Sequence, residues 1–264
     1  MATIGVGDTT LYYRETGTGS PLLLIHGAGA HADLFDGAVR SLAQHHRVIA
    51  YDRRGHSRSG AKPAAVRGYL KQQAEDAAGL LRALGATPVT VVGWSMGGVI
   101  GLCLALEHPE LVTRLVVCEP PLHASKHVPA SSLWPFLKAQ FLAAIGRKRA
   151  AAETFLRMML VQPDGSNGYD NVDSATREGV LANVETLLHE LKTGTGEELT
   201  PERIAELRCP ITAILGSTTP AVFSEATARL LQMLPQMRVV RISDAGHIGV
   251  MTHPEDFARL ALQT

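Results

Sequence analysis

Cysteine is scarce. Cys103, Cys118 and Cys209 are the three in 264 residues, an odd number with no C-x-x-C spacing. Each stands in apolar sequence, which argues against a disulfide framework and predicts buried thiols in a reducing compartment. Charge of one sign is lacking too: Lys and Arg total 25, Asp and Glu total 25, and the formal net charge is zero. Without a basic field, a nucleic-acid partner is not expected, and without an acidic tail neither is a charged protein partner. The expected partner is a small, largely uncharged molecule. No run approaches the ~18 consecutive apolar residues of a membrane span. The first twelve residues show no charged start followed by an apolar stretch, so no membrane association is predicted and a cytoplasmic chain is expected. No spacing of His and carboxylate residues resembles a ligand set, so no metal is implied, and no cofactor is expected.

What is present centres on one stretch. The β-branched run Val89-Thr90-Val91-Val92 ends abruptly in Gly93-Trp94-Ser95-Met96-Gly97-Gly98. A strand stops there and a helix starts, with G-x-S-x-G between them. In such an elbow a strained turn lifts the central Ser clear of the sheet, which makes Ser95 the candidate nucleophile. Side chains at 93 and 97 would collide with neighbouring backbone at so sharp a reversal. The Met96 amide would open a helix N-terminus and face developing negative charge.

Before the elbow, residues 10–15 alternate as a strand and Thr16-Gly17-Thr18-Gly19-Ser20-Pro21 reads as a turn, predicting an antiparallel hairpin. Its second arm, Leu22-Leu23-Leu24-Ile25, is apolar at every position, the mark of a central strand covered on both faces. It ends in His26-Gly27-Ala28-Gly29, a Gly-rich loop whose free amides would supply the other half of an oxyanion hole. Ala28 is the expected donor and Gly27 the alternative, while His26 is expected to tie the loop down. A helix over 32–45, a strand over 47–51 and the charged loop from Asp52 to Gly60 follow. Short and containing Asp52, that loop is expected to satisfy its charges internally rather than bind phosphate. Residues 69–84 form an amphipathic helix ending at Gly85.

After the elbow, a helix runs over 99–107 and a buried strand over 112–117, closing on Cys118-Glu119-Pro120-Pro121. Residues 122–207 then change character, with helices expected at 134–137, 150–160 and 175–191. This block interrupts a strand–helix alternation that resumes with Ile211-Thr212-Ala213-Ile214-Leu215. It is read as a helical cap inserted into a core formed by 1–121 and 208–264. A helix over 224–234, a strand over 238–242 and a helix over 255–262 complete the chain.

The segments His26-Gly27-Ala28-Gly29, Tyr51-Asp52-Arg53-Arg54-Gly55-His56-Ser57, Gly93-Trp94-Ser95-Met96-Gly97-Gly98 and Ala245-Gly246-His247 resemble the α/β-hydrolase fold superfamily in order and spacing. The resemblance implies an α/β fold with an eight-stranded, mostly parallel sheet, Ser95 as nucleophile and His247 as general base. One position departs from the pattern. Most members carry an Asp in the loop after the seventh strand, where this chain reads Gly216-Ser217-Thr218-Thr219-Pro220. A Thr cannot carry the charge that stabilises an imidazolium, so the acid must come from elsewhere. Glu119, on the carboxyl edge of the sheet, is the expected replacement, with Asp244 as rival.

Ser, His and a Glu after the sixth strand, with Glu-Pro-Pro, look like the zearalenone lactonases and related bacterial hydrolases. The resemblance implies cleavage of a carboxylic ester or lactone, with a macrolactone such as zearalenone as one substrate to try. Trp134, Phe136, Leu137, Met158 and Met159 suggest a hydrophobic or aromatic substrate, although roof packing alone would also employ them. The alternative is a cofactor-free dioxygenase of an N-heteroaromatic ring on the same fold; a ligand receptor is a third reading. Oligomeric state is left open, a homodimer included.

Overall fold

The computed structural model describes residues 2–60, 67–124, 130–162 and 164–263, so residues 125–129 and 163 of the expected insertion lie outside the described residues. Eight strands make one sheet: β1 (Ala2–Val6), β2 (Thr9–Thr16), β3 (Ser20–Ile25), β4 (His46–Tyr51), β5 (Val89–Trp94), β6 (Val112–Cys118), β7 (Ile211–Gly216) and β8 (Arg238–Ile242), in the spatial order β1-β2-β4-β3-β5-β6-β7-β8. From β4 through β8 every neighbouring pair is parallel, while β2 runs antiparallel to both β1 and β4.

Continuous apolar runs become two-sided burial through the period of two in a strand. Leu23 and Ile25 face one core with Val91, Leu115 and Val117, whereas Leu22 and Leu24 face the other with Val92, Val116 and Cys118. On the first face lie α2 (Tyr69–Ala83) and α3 (Met96–Glu107); on the second lie α1 (Asp36–Leu42), which follows a 3-10 turn (Ala32–Phe35), and α12 (Pro254–Leu262). Phe35 and Phe257 pack with ring centroids 6.4 Å apart. Each such ring contributes about 2–3 kcal/mol by burial.

Between β6 and β7 the chain carries α4 (Ala130–Ala144), α5 (Lys148–Met159), α6 (Gly168–Asn171), α7 (Ser174–Ala182), α8 (Val184–Glu190) and α9 (Pro201–Ile204); α10 (Ala221–Met233) and α11 (Gly249–Thr252) lie after β7 and β8. Among the described residues no helix is long and apolar enough to cross a membrane.

Three expectations are corrected. The hairpin is formed by β1 and β2, because β3 pairs with β4 and β5 instead; a strand apolar at every position is buried best in the middle of the sheet. The helix expected over 32–45 begins as the 3-10 turn, its Ala32 amide donating to Asp52 Oδ1 at 2.8 Å. The helix expected over 175–191 is two, broken at Asn183, whose side chain bonds the backbone of Gly29, Ala30 and Ser57.

Candidate active site

Ser95 joins β5 to α3 with φ 54° and ψ −123°, a backbone that ordinary residues avoid and that is held by its own amide donating to Cys118 O at 2.8 Å. A Cβ on Gly97 would run into the Ile25 carbonyl, and one on Gly93 into the Gly97 carbonyl. Only bare backbone lets the turn close this tightly.

At the end of β6, Glu119 also takes a positive φ of 50°, its amide donating to Ile214 O at 3.1 Å. Its carboxylate is buried and used on both sides. Oε1 accepts from the Gly216 amide at 2.7 Å, and Oε2 accepts from His247 Nδ1 at 2.6 Å. The other ring nitrogen of His247, Nε2, lies 3.1 Å from Ser95 Oγ. The end of β7, whose following loop carries no acid, therefore contributes an amide that orients the Glu119 carboxylate. Asp244 is exposed, and its amide donates to Ser217 Oγ.

The His247 ring is held by more than its polar partners. Phe223, at the start of α10, stacks on it with centroids 3.6 Å apart and planes 7° from parallel. Trp94 lies 5.5 Å away on centroids and donates its indole Nε1–H to the His247 carbonyl at 2.9 Å. Neither contact has a sequence signal: Phe223 is an apolar residue near a helix start, and Trp94 reads as an elbow filler.

Ser95 and His247 open on a cavity of about 180 Å³ shared by strand ends and the helices between β6 and β7. Ala28, Met96, Phe136, Met158 and Met159 line it, with Phe155, Leu191 and Val222. Gly27 adjoins Ser95, since a Cβ there would stand 3.0 Å from Ser95 Cβ. Trp134 and Leu137 are corrected: they are 75% and 46% exposed and do not line the cavity. At 3.6 residues per turn, Leu133, Trp134, Leu137 and Phe141 share the outer stripe of α4, while Phe136 lies inward.

In the charged loop after β4, Arg58 pairs within the loop, with Asp52, whereas Arg54 and Arg53 pair with acids of α2 and α8. Asp52 takes Arg58 Nε at 2.7 Å, and Asp76 takes Arg54 through Nε at 2.6 Å and Nη2 at 2.7 Å. His26 Nε2 accepts from the Arg53 amide at 2.9 Å. Burial, then the neighbouring Arg53 and His56, hold its pKa well below the ordinary histidine value. Arg53 is wholly buried and pairs with Glu190 of α8 at 2.7 Å. Burial alone would raise the Glu190 pKa, but the Arg53 and His56 charges outweigh it and bring it down to about 2. Nothing in the sequence flags Glu190, an acid in a short helix.

Strand order, elbow and carboxyl-edge site together define a hydrolase of the α/β class. A family model described as the alpha/beta hydrolase fold matches residues 20–254, and the chain belongs to that family. It is similar to the pimeloyl-[acyl-carrier protein] methyl ester esterase of Nitrosomonas europaea, 28% identical over 94% of this chain and 96% of that one. A shorter match, 40% identical over 121 residues, is to the uncharacterized hydrolase YraK of Bacillus subtilis and spans 46% of this chain and 44% of that protein. Among solved structures, Est816, described as an N-acyl homoserine lactone degrading enzyme, superposes with a TM-score of 0.77 at 20% identity over 98% of both chains, a likeness of fold.

Proposed function

We propose that the chain cleaves a carboxylic ester or lactone through a Ser95–His247–Glu119 triad, with residues 122–207 as a cap over the site. The observation that carries this reading is the continuous hydrogen-bonded line from Ser95 Oγ through both nitrogens of His247 to Glu119 Oε2. His247 Nε2 takes the Ser95 proton as Oγ adds to the substrate carbonyl carbon, and the carbonyl oxygen becomes the oxyanion. Amides of Ala28 and Met96 receive that charge, with Gly27 as the alternative first donor. Glu119 keeps the imidazole in the tautomer with the proton on Nδ1 and stabilises the imidazolium. His247 then protonates the departing alkoxide. Water, deprotonated by the same ring, releases the acid and regenerates Ser95.

The cavity is mainly apolar around this polar line, which favours a hydrophobic or aromatic acyl or alcohol portion. A macrolactone of the zearalenone type fits that chemistry and belongs in the first substrate panel beside aryl esters and small lactones. Cofactor-free dioxygenation is not favoured, since the named relatives with a stated activity are an esterase and a lactone-degrading enzyme.

The test is hydrolysis of that panel with Ser95→Ala as blank. The variant should fold and lose activity by at least ~10⁴-fold, and a fluorophosphonate should label Ser95 in the wild type. Turnover within a few-fold of wild type in Ser95→Ala, or oxygen uptake during turnover, would overturn the reading.

A further inference from the structure

The loop that presents the Ala28 amide is not held by the core alone. Gly29 takes φ 63°, and a Cβ on it would stand 3.2 Å from Leu187 Cβ, so any other residue would strain the loop and push α8 back by a few tenths of an ångström. From α8 the Glu190 carboxylate reaches in, Oε2 accepting from the Gly29 amide at 3.0 Å. That amide belongs to the peptide joining Ala28 to Gly29. From the break before α8, Asn183 Nδ2 donates to the carbonyls of Gly29 and Ala30, both at 3.0 Å.

Glu190 is itself immobilised. Oε1 accepts from Arg53 Nη2 at 2.7 Å and from Tyr69 Oη at 2.9 Å, and the same Arg53 Nη2 donates to the Gly27 carbonyl at 2.9 Å. The loop is therefore bracketed at 27 by the core and at 29 and 30 by the inserted helices. A buried ion pair adds little net stability over well-packed apolar residues, so stability is a weak explanation for a charged link here. Directionality is the stronger one: the Ala28 N–H shares a peptide with the Gly27 carbonyl, which Arg53 holds, and Glu190 fixes both that guanidinium and the next peptide plane.

We infer that Glu190 and Asn183 are positioning residues for the oxyanion hole, which is fully formed only while α8 is seated on the loop. The inference rests on the proposed role of Ala28 as an oxyanion donor. It makes the insertion a part of the catalytic geometry as well as a roof over the substrate. Misplacing a donor by a fraction of an ångström weakens a contact that matters most in the transition state.

Glu190→Asp keeps a charge for Arg53 but withdraws the carboxylate by one methylene from the Gly29 amide. Asn183→Ala leaves the ion pair intact and releases the loop from the other side, and it carries the test should Glu190→Asp not fold. The readouts are kcat and KM on an ester that the wild type hydrolyses, and inhibition by a matched pair of ketones. With an aryl trifluoromethyl ketone, Ser95 Oγ adds to the carbonyl carbon, its proton passes to His247, and the ketone oxygen becomes an oxyanion in the hole. The corresponding methyl ketone binds without that addition.

The expected result is a kcat lowered ~10- to ~100-fold with KM within about twofold. Trifluoromethyl ketone affinity should fall in parallel, while methyl ketone affinity stays unchanged. Folded variants with wild-type kcat and trifluoromethyl ketone affinity would overturn the inference. So would equal loss of both ketones, the mark of a merely structural role. If instead the trifluoromethyl ketone bound Ser95→Ala as tightly as wild type, the triad reading itself would fail.

Discussion

Two buried carboxylates mark two regions built on different principles. Around Glu119, both carboxylate partners come from the sheet strands: Gly216 ends β7 and His247 follows β8, with Ser95 beyond the ring at the end of β5. Around Glu190, the partners Arg53, Tyr69 and Gly29 belong to elements before β5, but the carboxylate arrives from α8, between β6 and β7. Glu119 faces an imidazole that gains and loses a proton during the proposed reaction. Glu190 faces a guanidinium that stays charged, and its carboxylate stays ionised down to about pH 2. The first arrangement is suited to changing charge, the second to holding a loop against a helix.

The largest effect should follow from attacking the first region. Glu119→Gln should lower turnover by on the order of 10⁴, as loss of the triad acid does elsewhere, with little change in the thermal midpoint. Adding Thr219→Asp to Glu119→Gln should restore part of that rate. The Thr219 loop carries the Gly216 amide that already touches the acid, and Asp, one methylene shorter, suits an anchor nearer the ring. Steady-state kinetics of the single and double variants decide this. A wild-type rate in Glu119→Gln together with collapse in Asp244→Asn would show that the acid is wrongly assigned.

The second region should respond in the opposite sense. Glu190→Gln leaves Arg53 buried beside a neutral partner, and breaking a buried pair from one side costs about 3–5 kcal/mol. Urea unfolding should show a midpoint lowered accordingly. If Glu190→Gln proved as stable as wild type, the ion pair would not be holding α8 to the loop after β4.

A smaller effect is expected from Phe223→Leu, which removes the stacked face of His247 but leaves both of its ring hydrogen bonds. An aromatic pair contributes about 0.5–1.5 kcal/mol beyond its burial, so kcat/KM should fall by roughly two- to tenfold. An unchanged value would mean that Glu119 and Ser95 suffice to orient the ring.

The gentlest perturbation is acid. Burial, then Arg53, lowers the pKa of His26 and His56 below 6.5 in the folded chain. Below that value the unfolded chain binds protons that the native state refuses, so stability is whole above pH 6.5 and declines progressively beneath it. Glu190 keeps its contribution to far lower pH. Urea midpoints measured from about pH 7.5 down to about pH 5.5 should therefore fall, and a flat profile would contradict neutral burial of the two rings.

The core was largely legible because its signals are local. Val89 to Gly98 declares a strand, a tight turn and a helix within ten residues, and Leu22 to Ile25 declares a central strand by composition alone. Glu119 could be proposed from a lack, since the 216–220 loop offers no carboxylate. The stretch between β6 and β7 was legible only as helical. Apolar residues on α4 read alike on both faces, which is why Trp134 and Leu137 were placed with Phe136 and then turned out to face outward.

By itself, then, the sequence determined the central strands and most of the helices beside them, the strand–turn–helix elbow at Ser95 and the residue types that the proposed acyl transfer would use. Periodicity and turn chemistry act over a few residues, and they leave a readable trace. Only the tertiary structure decided that Glu190 would meet a peptide 161 residues away, that Phe223 would lie flat on His247, and that Asn183 would break a helix to hold a loop. Those contacts follow from how α8 and α10 dock on the sheet edge. Docking is decided by the summed packing of many side chains, so no short stretch of sequence encodes it.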